Sequence, residues 1–183
     1  MRPDVLIETP RLLLRQWRDS DLEPFARLNA DSRVMEFFPA CLSRGESDRM
    51  AAAIRDAMGA RGWGLYAAEL RDTGEFIGYI GLSVPRFEGH FTPCVEIGWR
   101  LKFEHWNRGL ATEGARAVLQ HAFTRLDLRE VVSFTTAGNL RSRRVMEKIG
   151  MTRDADGDFD HPSIEVGHPL RPHVLYRIRR ECC

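Results

Sequence analysis

No C-x-x-C spacing occurs among the four cysteines, at 41, 94, 182 and 183, so neither a zinc ribbon nor a disulfide scaffold is indicated. No window approaches the roughly 18 apolar residues that would span a bilayer. The start Met-Arg-Pro-Asp-Val also lacks the apolar stretch of a secretion signal. Internal repeats, low-complexity tracts and linkers are absent as well. Charge of one sign is not in excess: 27 Lys and Arg against 26 Asp and Glu leave a net +1, which gives no electrostatic reason to expect nucleic acid or a membrane as partner. The histidines show no metal-ligand spacing, so no metal is expected. These absences point to a cytoplasmic chain with a small or local partner.

The 183 residues, 43% of them hydrophobic, suit one globular domain spanning 1–183. Leu6 to Gln16, with Leu12-Leu13-Leu14 between arginines, reads as a first strand. Asp19-Ser20-Asp21 offers an N-cap for a helix to about Ala30, and Ser43-Arg44-Gly45-Glu46 has the capping-box form before a helix to about Ala60. Leu65–Leu70 and Glu75–Val84 are strand-like runs around the turn Arg71-Asp72-Thr73-Gly74. In Val95–Leu101, large apolar residues at 95, 97, 99 and 101 alternate with Glu, Gly and Arg, the period of a strand. After Gly109 the apolar positions 111, 115, 118, 119, 122, 123 and 126 fall on one helical face. Val131–Thr136 is a further strand, Asn139 opens a helix that stops at Gly150, Asp154–Pro172 reads as loop, and Val174–Ile178 as a last strand. The expected class is α/β (α+β), a mixed sheet with helices on its faces.

Two junctions carry chemistry. Trp106-Asn107-Arg108-Gly109-Leu110-Ala111-Thr112-Glu113 leads from a strand into a helix through a glycine turn. A helix start leaves N–H groups unpaired at the positive end of its dipole, and so suits a diphosphate. The second junction, Asn139 to Met151, reads N-L-R-S-R-R-V-M-E-K-I-G-M and is the more specific of the two. With E-T-P-R-L-L-L-R at 8–15, T-G-E-F-I-G-Y-I-G-L at 73–82 and V-E-I-G-W-R-L at 95–101, these motifs resemble, in order and over nearly the whole chain, the GNAT acyltransferases that use acetyl-CoA. The resemblance extends to the branch of Rim-type ribosomal-protein N-terminal acetyltransferases, since Trp106 stands where most of the superfamily has Gln or Arg.

That resemblance implies a GNAT fold with a mostly antiparallel central sheet. The strands 95–101 and 131–136 would splay apart to admit the pantetheine arm as a substitute strand. It implies that the backbone of Asn107, Arg108, Gly109, Leu110 and Ala111 cradles the pyrophosphate, with Thr112 adding a hydroxyl, Trp106 shaping the turn and Asn139 contacting the cofactor. Dimers are common in that family, so a homodimer is a partner the resemblance allows.

Acetyl transfer to nitrogen needs a neutral amine and a stabilised leaving thiolate. Glu96 is the candidate to bind the ammonium and take its proton, since partial desolvation would raise its pKa into a useful range; the plainer reading is a solvent-facing residue paired with Arg100. Ser142 is the candidate acid for the thiolate, a role the resemblance implies, against a reading as a helix residue bonded to Asn139 or the main chain. Cys94 shares a face with Glu96 under regular alternation and leaves a covalent route open. His90, His161, His168 and His173 fall on expected loops or the last strand. Phe37, Phe38, Trp63 and Phe91 would line an acceptor cleft or serve as core, and Asp156, Asp158 and Asp160 would form an acidic substrate loop or a solvated one. The reading is an acetyl-CoA-dependent N-acetyltransferase acting on a primary amine, a protein N-terminus or a small molecule, by direct attack in a ternary complex. The alternative is a non-catalytic acyl-CoA sensor.

Overall fold

In the computed structural model residues 5–180 are described; Cys182 and Cys183 lie outside them. Eight strands form one sheet, β1 (Val5–Glu8), β2 (Leu12–Arg15), β3 (Leu65–Leu70), β4 (Phe76–Ser83), β5 (Glu96–Leu101), β6 (Glu130–Thr136), β7 (Thr152–Asp160) and β8 (Pro172–Arg179). Their order is β1-β2-β3-β4-β5-β6-β8-β7. All neighbours are antiparallel except β5 and β6. The helices are α1 (Leu22–Ala30), α2 (Arg44–Arg61), α3 (Leu110–Thr124) and α4 (Leu140–Lys148). The expected mixed, mostly antiparallel sheet flanked by helices is thus present.

Local chemistry explains most boundaries. Ser43 accepts the Glu46 N–H while the Glu46 carboxylate accepts the Ser43 N–H, so the capping box starts α2. Gly114 in α3 has no Cβ because Ile80 of β4 already fills that place: an ideal Cβ would lie 2.4 Å from Ile80 Cδ1. α3 therefore presses closely on the sheet and buries Ala115, Val118, Leu119 and Ala122 against Leu12, Ile80 and Ile97 in the main core. Beneath α1, Arg15 is buried between two carboxylates: its Nε donates to Glu69 at 2.7 Å and its Nη1 and Nη2 to Asp21 at 2.7 and 2.8 Å. That network ties β2 and β3 to the turn before α1.

Three expectations change. The run expected as one strand over 6–16 is a hairpin, β1 and β2, turned at Thr9–Arg11, where the Thr9 hydroxyl accepts the Leu12 N–H. Asp19–Asp21 forms a 3-10 turn, and Asp21 spends its carboxylate on Arg15 and on the Arg18 N–H rather than capping α1. The stretch from Asp154, expected as loop, belongs to strand β7 as far as Asp160, so the acidic substrate loop is corrected to a sheet edge. Its acids face arginines: Asp154 accepts from Arg177 at 2.6 Å, Asp158 from Arg153 at 2.6 Å and Asp160 from Arg171 at 3.2 Å. Charged side chains on an edge strand deter further strand pairing, which accounts for a strand of such unfavourable composition.

Candidate active site

The site lies where β5 and β6 part. Their ladder has one registered pair, Glu96 with Val132. The Val132 N–H donates to the Val95 carbonyl at 2.9 Å and the Ser133 hydroxyl to the Ile97 carbonyl at 2.9 Å. Beyond these, Gly98–Leu101 and Phe134–Thr136 run on without pairing each other, which leaves a wedge between parallel strands.

At the wide end of that wedge the chain turns into α3. Asn107 (φ 57°) and Gly109 (φ 76°) both take the left-handed conformation, a turn geometry that aims successive N–H groups into one concavity. Among the described residues, no hydrogen bond is made by the N–H groups of Asn107, Arg108, Gly109, Leu110, Ala111 or Thr112; the first bonded one is that of Glu113, on the Gly109 carbonyl. Trp106 braces the turn, its indole N–H donating to the Leu101 carbonyl at 2.9 Å while the Arg141 guanidinium lies 4.7 Å above its ring. Glu113 holds the other side by accepting from the Thr9 hydroxyl and from the Arg11 N–H and Nε, at 2.7, 2.9 and 2.6 Å. Arg11 also donates to the Arg108 carbonyl. A cavity of about 440 Å³ adjoins the turn, lined by Arg11, Gly109, Thr112, Arg116 and Lys148 among others. Glu113 also lines this cavity and offsets Arg11, so the unpaired donors, the helix start and the cations Arg116 and Lys148 are what suit a polyphosphate.

At the narrow end stands Glu96. Its carboxylate accepts from the Ser83 hydroxyl at 3.1 Å. Water reaches part of it, yet protein surrounds it closely. Desolvation dominates and pushes its pKa up to about 7, against the opposing effect of the Ser83 bond. Glu96 does not pair with Arg100, whose Nη1 donates instead to Asn29 Oδ1 at 2.6 Å. Cys94 lies just before β5 beside the second core cluster, and burial pushes its thiol up to about 11. So protonated a thiol is a poor nucleophile near neutral pH.

α4 starts beside the same wedge. Asn139 Oδ1 accepts the Ser142 N–H at 3.1 Å and its Nδ2 donates to the Thr135 hydroxyl at 3.0 Å, so its side chain serves as the N-cap. Ser142 thus bonds Asn139 through its N–H, as the plainer reading has it, while its half-buried hydroxyl makes no hydrogen bond among the described residues. Ring contacts gather Phe87, Phe91, Phe134, Phe159, His161 and His173 into one aromatic cluster. Burial lowers the pKa of both His161 and His173, so they are neutral near pH 7. Phe91 is core, whereas Phe38 is partly exposed under the Arg100 guanidinium, 4.0 Å away. Trp63 packs on the main core, and His168 bonds within its own loop. Among the described residues no group of three His, Cys, Asp or Glu is placed to hold a metal, and no helix is long and apolar enough to cross a membrane.

Sequence reasoning missed Ser83, the Arg11–Glu113 clamp and His105. The His105 ring is buried and bridges Arg108, through Nδ1 at 3.1 Å, to Glu75, through Nε2 at 3.3 Å. Each joins distant segments, so no local spacing announces it.

A profile described as an acetyltransferase (GNAT) domain matches residues 11–152. The chain is 31% identical over 175 residues to the uncharacterised N-acetyltransferase YnaD of Bacillus subtilis, covering 96% of this chain and 97% of that one. A GNAT-family acetyltransferase from Bacillus anthracis superposes with a TM-score of 0.77 at 28% identity, over 94% of this chain and 97% of the other. RimL, a ribosomal L7/L12 alpha-N-protein acetyltransferase solved with coenzyme A, superposes with a TM-score of 0.75 at 15% identity over 96% and 97% of the two chains, a likeness of fold alone.

Proposed function

The chain belongs to the GNAT acetyltransferases, whose donor is acetyl-CoA, and from that premise we propose that it transfers acetyl to a primary amine by direct attack within a ternary complex, as one domain of the Rim-like branch. The observation that carries this reading is Glu96: a carboxylate pushed up to about 7, at the apex of the wedge, on the face opposite the core residue Ile97.

The residues present fit the donor. The unpaired N–H groups of Asn107–Thr112, with Arg116 and Lys148 nearby, take its phosphates. The unpaired edges of β5 and β6 take the amides of its arm. Trp106 and Asn139 hold the turn and the helix start that flank it. Acetyl-CoA supplies the acyl group as a thioester.

Glu96 binds the acceptor ammonium and takes one proton, directly or through water. The freed lone pair attacks the thioester carbonyl, an N–C bond forms and the C–S bond breaks. The Ser142 hydroxyl, which has no acceptor among the described residues, donates a hydrogen bond to the departing sulfur, and the second amine proton passes to that sulfur as the amide forms. An α-amine has a pKa near ~7.7–8.0, so its proton moves to Glu96 almost without penalty; a lysine near ~10.4 loses that match by roughly 4 kcal/mol. Acceptors with low-pKa amines are therefore favoured, whether a protein N-terminus or a small molecule. The pKa of Cys94 favours direct attack over a covalent thioester intermediate.

The test is acetyl-CoA-dependent thiol release by the purified protein against N-terminal peptides, internal-lysine peptides, polyamines, amino acids and aminoglycosides. Turnover with one class, lost in Glu96→Gln, is expected. Acetyl-CoA binding without turnover on any amine would replace the reading with a non-catalytic sensor.

A further inference from the structure

Strand register places Ser83, Glu96, Gly98, Arg100 and Tyr79 on one face of the sheet, because Ser83 pairs with Glu96, Gly81 with Gly98 and Tyr79 with Arg100. Between Glu96 and Arg100 that face is open: a Cβ built on Gly98 would meet nothing within 4 Å. Arg100 closes the far end of this row. It is only 7% exposed, fixed on one side by Asn29, which in turn donates to Ser47 at 2.9 Å. Its Nη1 also lies 3.9 Å from the Met50 sulfur, and its guanidinium stacks on Phe38.

No carboxylate reaches Arg100 among the described residues. Among the described residues its Nε is buried with no hydrogen-bond partner, one of two such side-chain atoms, and its Nη2 donates to no protein atom. The contrast with Arg15, also buried but held by Asp21 and Glu69, is sharp. A guanidinium taken out of water without an anion is unfavourable. Nε and Nη2 form the edge of the guanidinium that grips a carboxylate with two parallel hydrogen bonds. Asn29 takes only Nη1, so that edge stays free, and Phe38 and Tyr79 hold the plane in place.

We propose that Arg100 binds the carboxylate of the acceptor, so that the preferred substrates are small amino carboxylates, with the amine at Glu96 and the acid at the Nε/Nη2 edge. This rests on the acetyltransferase reading and adds the acceptor class to it. The Cα atoms of residues 96 and 100 stand about 13 Å apart by strand rise. The reach of the two side chains shortens the gap, which favours a carboxylate some bonds away from the amine over one on the adjacent carbon. Free dipeptides have that spacing and also a low-pKa amine.

The test compares glycine, 4-aminobutyrate, glycylglycine and triglycine, each against its C-terminal carboxamide, in two measurements on the wild-type protein: kcat/KM for acetylation, and calorimetric binding to the protein loaded with CoA. At least one acid is expected to exceed its amide roughly 10- to 100-fold, the range of a hydrogen-bonded charge. Arg100→Met should abolish the preference and Arg100→Lys should restore part of it. Acids and amides that bind and react equally would overturn the proposal. So would an Arg100→Met protein whose CoA affinity falls while the acid-to-amide ratio stays unchanged, since Arg100 would then serve the cofactor. Acids that bind better than amides without being acetylated would uphold the anion site and defeat the acetyltransferase reading instead. If Arg100→Met does not fold, the wild-type acid-to-amide ratio alone decides.

Discussion

Replacing Glu96 by Gln tests the base and the physics of its burial together. The amide is nearly isosteric and can still accept from Ser83, which donates to the carboxylate at 3.1 Å, so packing should persist. In the folded protein desolvation pushes the pKa up to about 7 from an ordinary 4.5. The folded state then holds its proton more tightly than the unfolded chain does. The stability that follows is complete below pH ~4.5 and lost as pH rises through about 7. At 1.36 kcal/mol per pKa unit, ionised Glu96 costs the fold about 3 kcal/mol at pH 8.5. The amide carries no such charge. Melting curves of the two proteins should therefore nearly coincide at pH 4 and separate with pH, Glu96→Gln melting higher by roughly 6–12 °C at pH 8.5 for a chain of this size. Other titrating groups are common to both proteins and cancel in the difference. Over the same range kcat/KM of the wild type should rise through pH 7 as the base ionises, and Glu96→Gln should lose roughly 10²–10⁴-fold at pH 8 together with that limb. Parallel melting curves would refute the desolvated carboxylate. Full activity in the more stable variant would refute the base while leaving the burial intact.

Gly109→Val places a branched residue at φ 76°, where strain of about 1–3 kcal/mol is expected; CoA affinity by calorimetry should drop while the far-ultraviolet spectrum is retained, and unchanged affinity would count against the phosphate turn. Ser142→Ala removes a hydroxyl that bonds nothing among the described residues, so the melting point should move little and kcat should fall more than acetyl-CoA affinity; a loss confined to affinity would make Ser142 a cofactor contact. Cys94→Ala should keep its activity, given a thiol pushed up to about 11; inactivity, with trapping of acetyl on the wild-type cysteine, would instead support a covalent route.

Legibility in the sequence followed the range of the interaction. Strand β5 was readable because residues 95–101 alternate, and the start of α2 because Ser43 and Glu46 lie within one turn. The β1–β2 hairpin was read as one strand because Thr9 hides its turn: the side chain substitutes for a main-chain bond at Leu12 with no Gly marking it. β7 was invisible for a stronger reason. Asp and Gly disfavour strands locally, and the arginines that face its acids, among them Arg171 and Arg177, sit on or just before another strand. A strand made tolerable by its neighbours has no signature of its own.

The candidate site divides along the same line, and the division bears on its chemistry. Gly109 and Asn139 could be placed because helix starts have local rules, and Glu96 because strand alternation put it on one face with Gly98 and Arg100. What those side chains face could not be placed. Alternation left Glu96 and Arg100 as natural partners, and paired they would have been a neutral surface couple with nothing left over. In the fold, Ser83 from β4 takes Glu96 and Asn29 from α1 takes one nitrogen of Arg100, both without bringing a countercharge. Two neutral partners, 13 and 71 positions away in sequence, thus keep an acid and a base apart across an open glycine. Charges held apart in this way remain available to a ligand that carries the opposite pair.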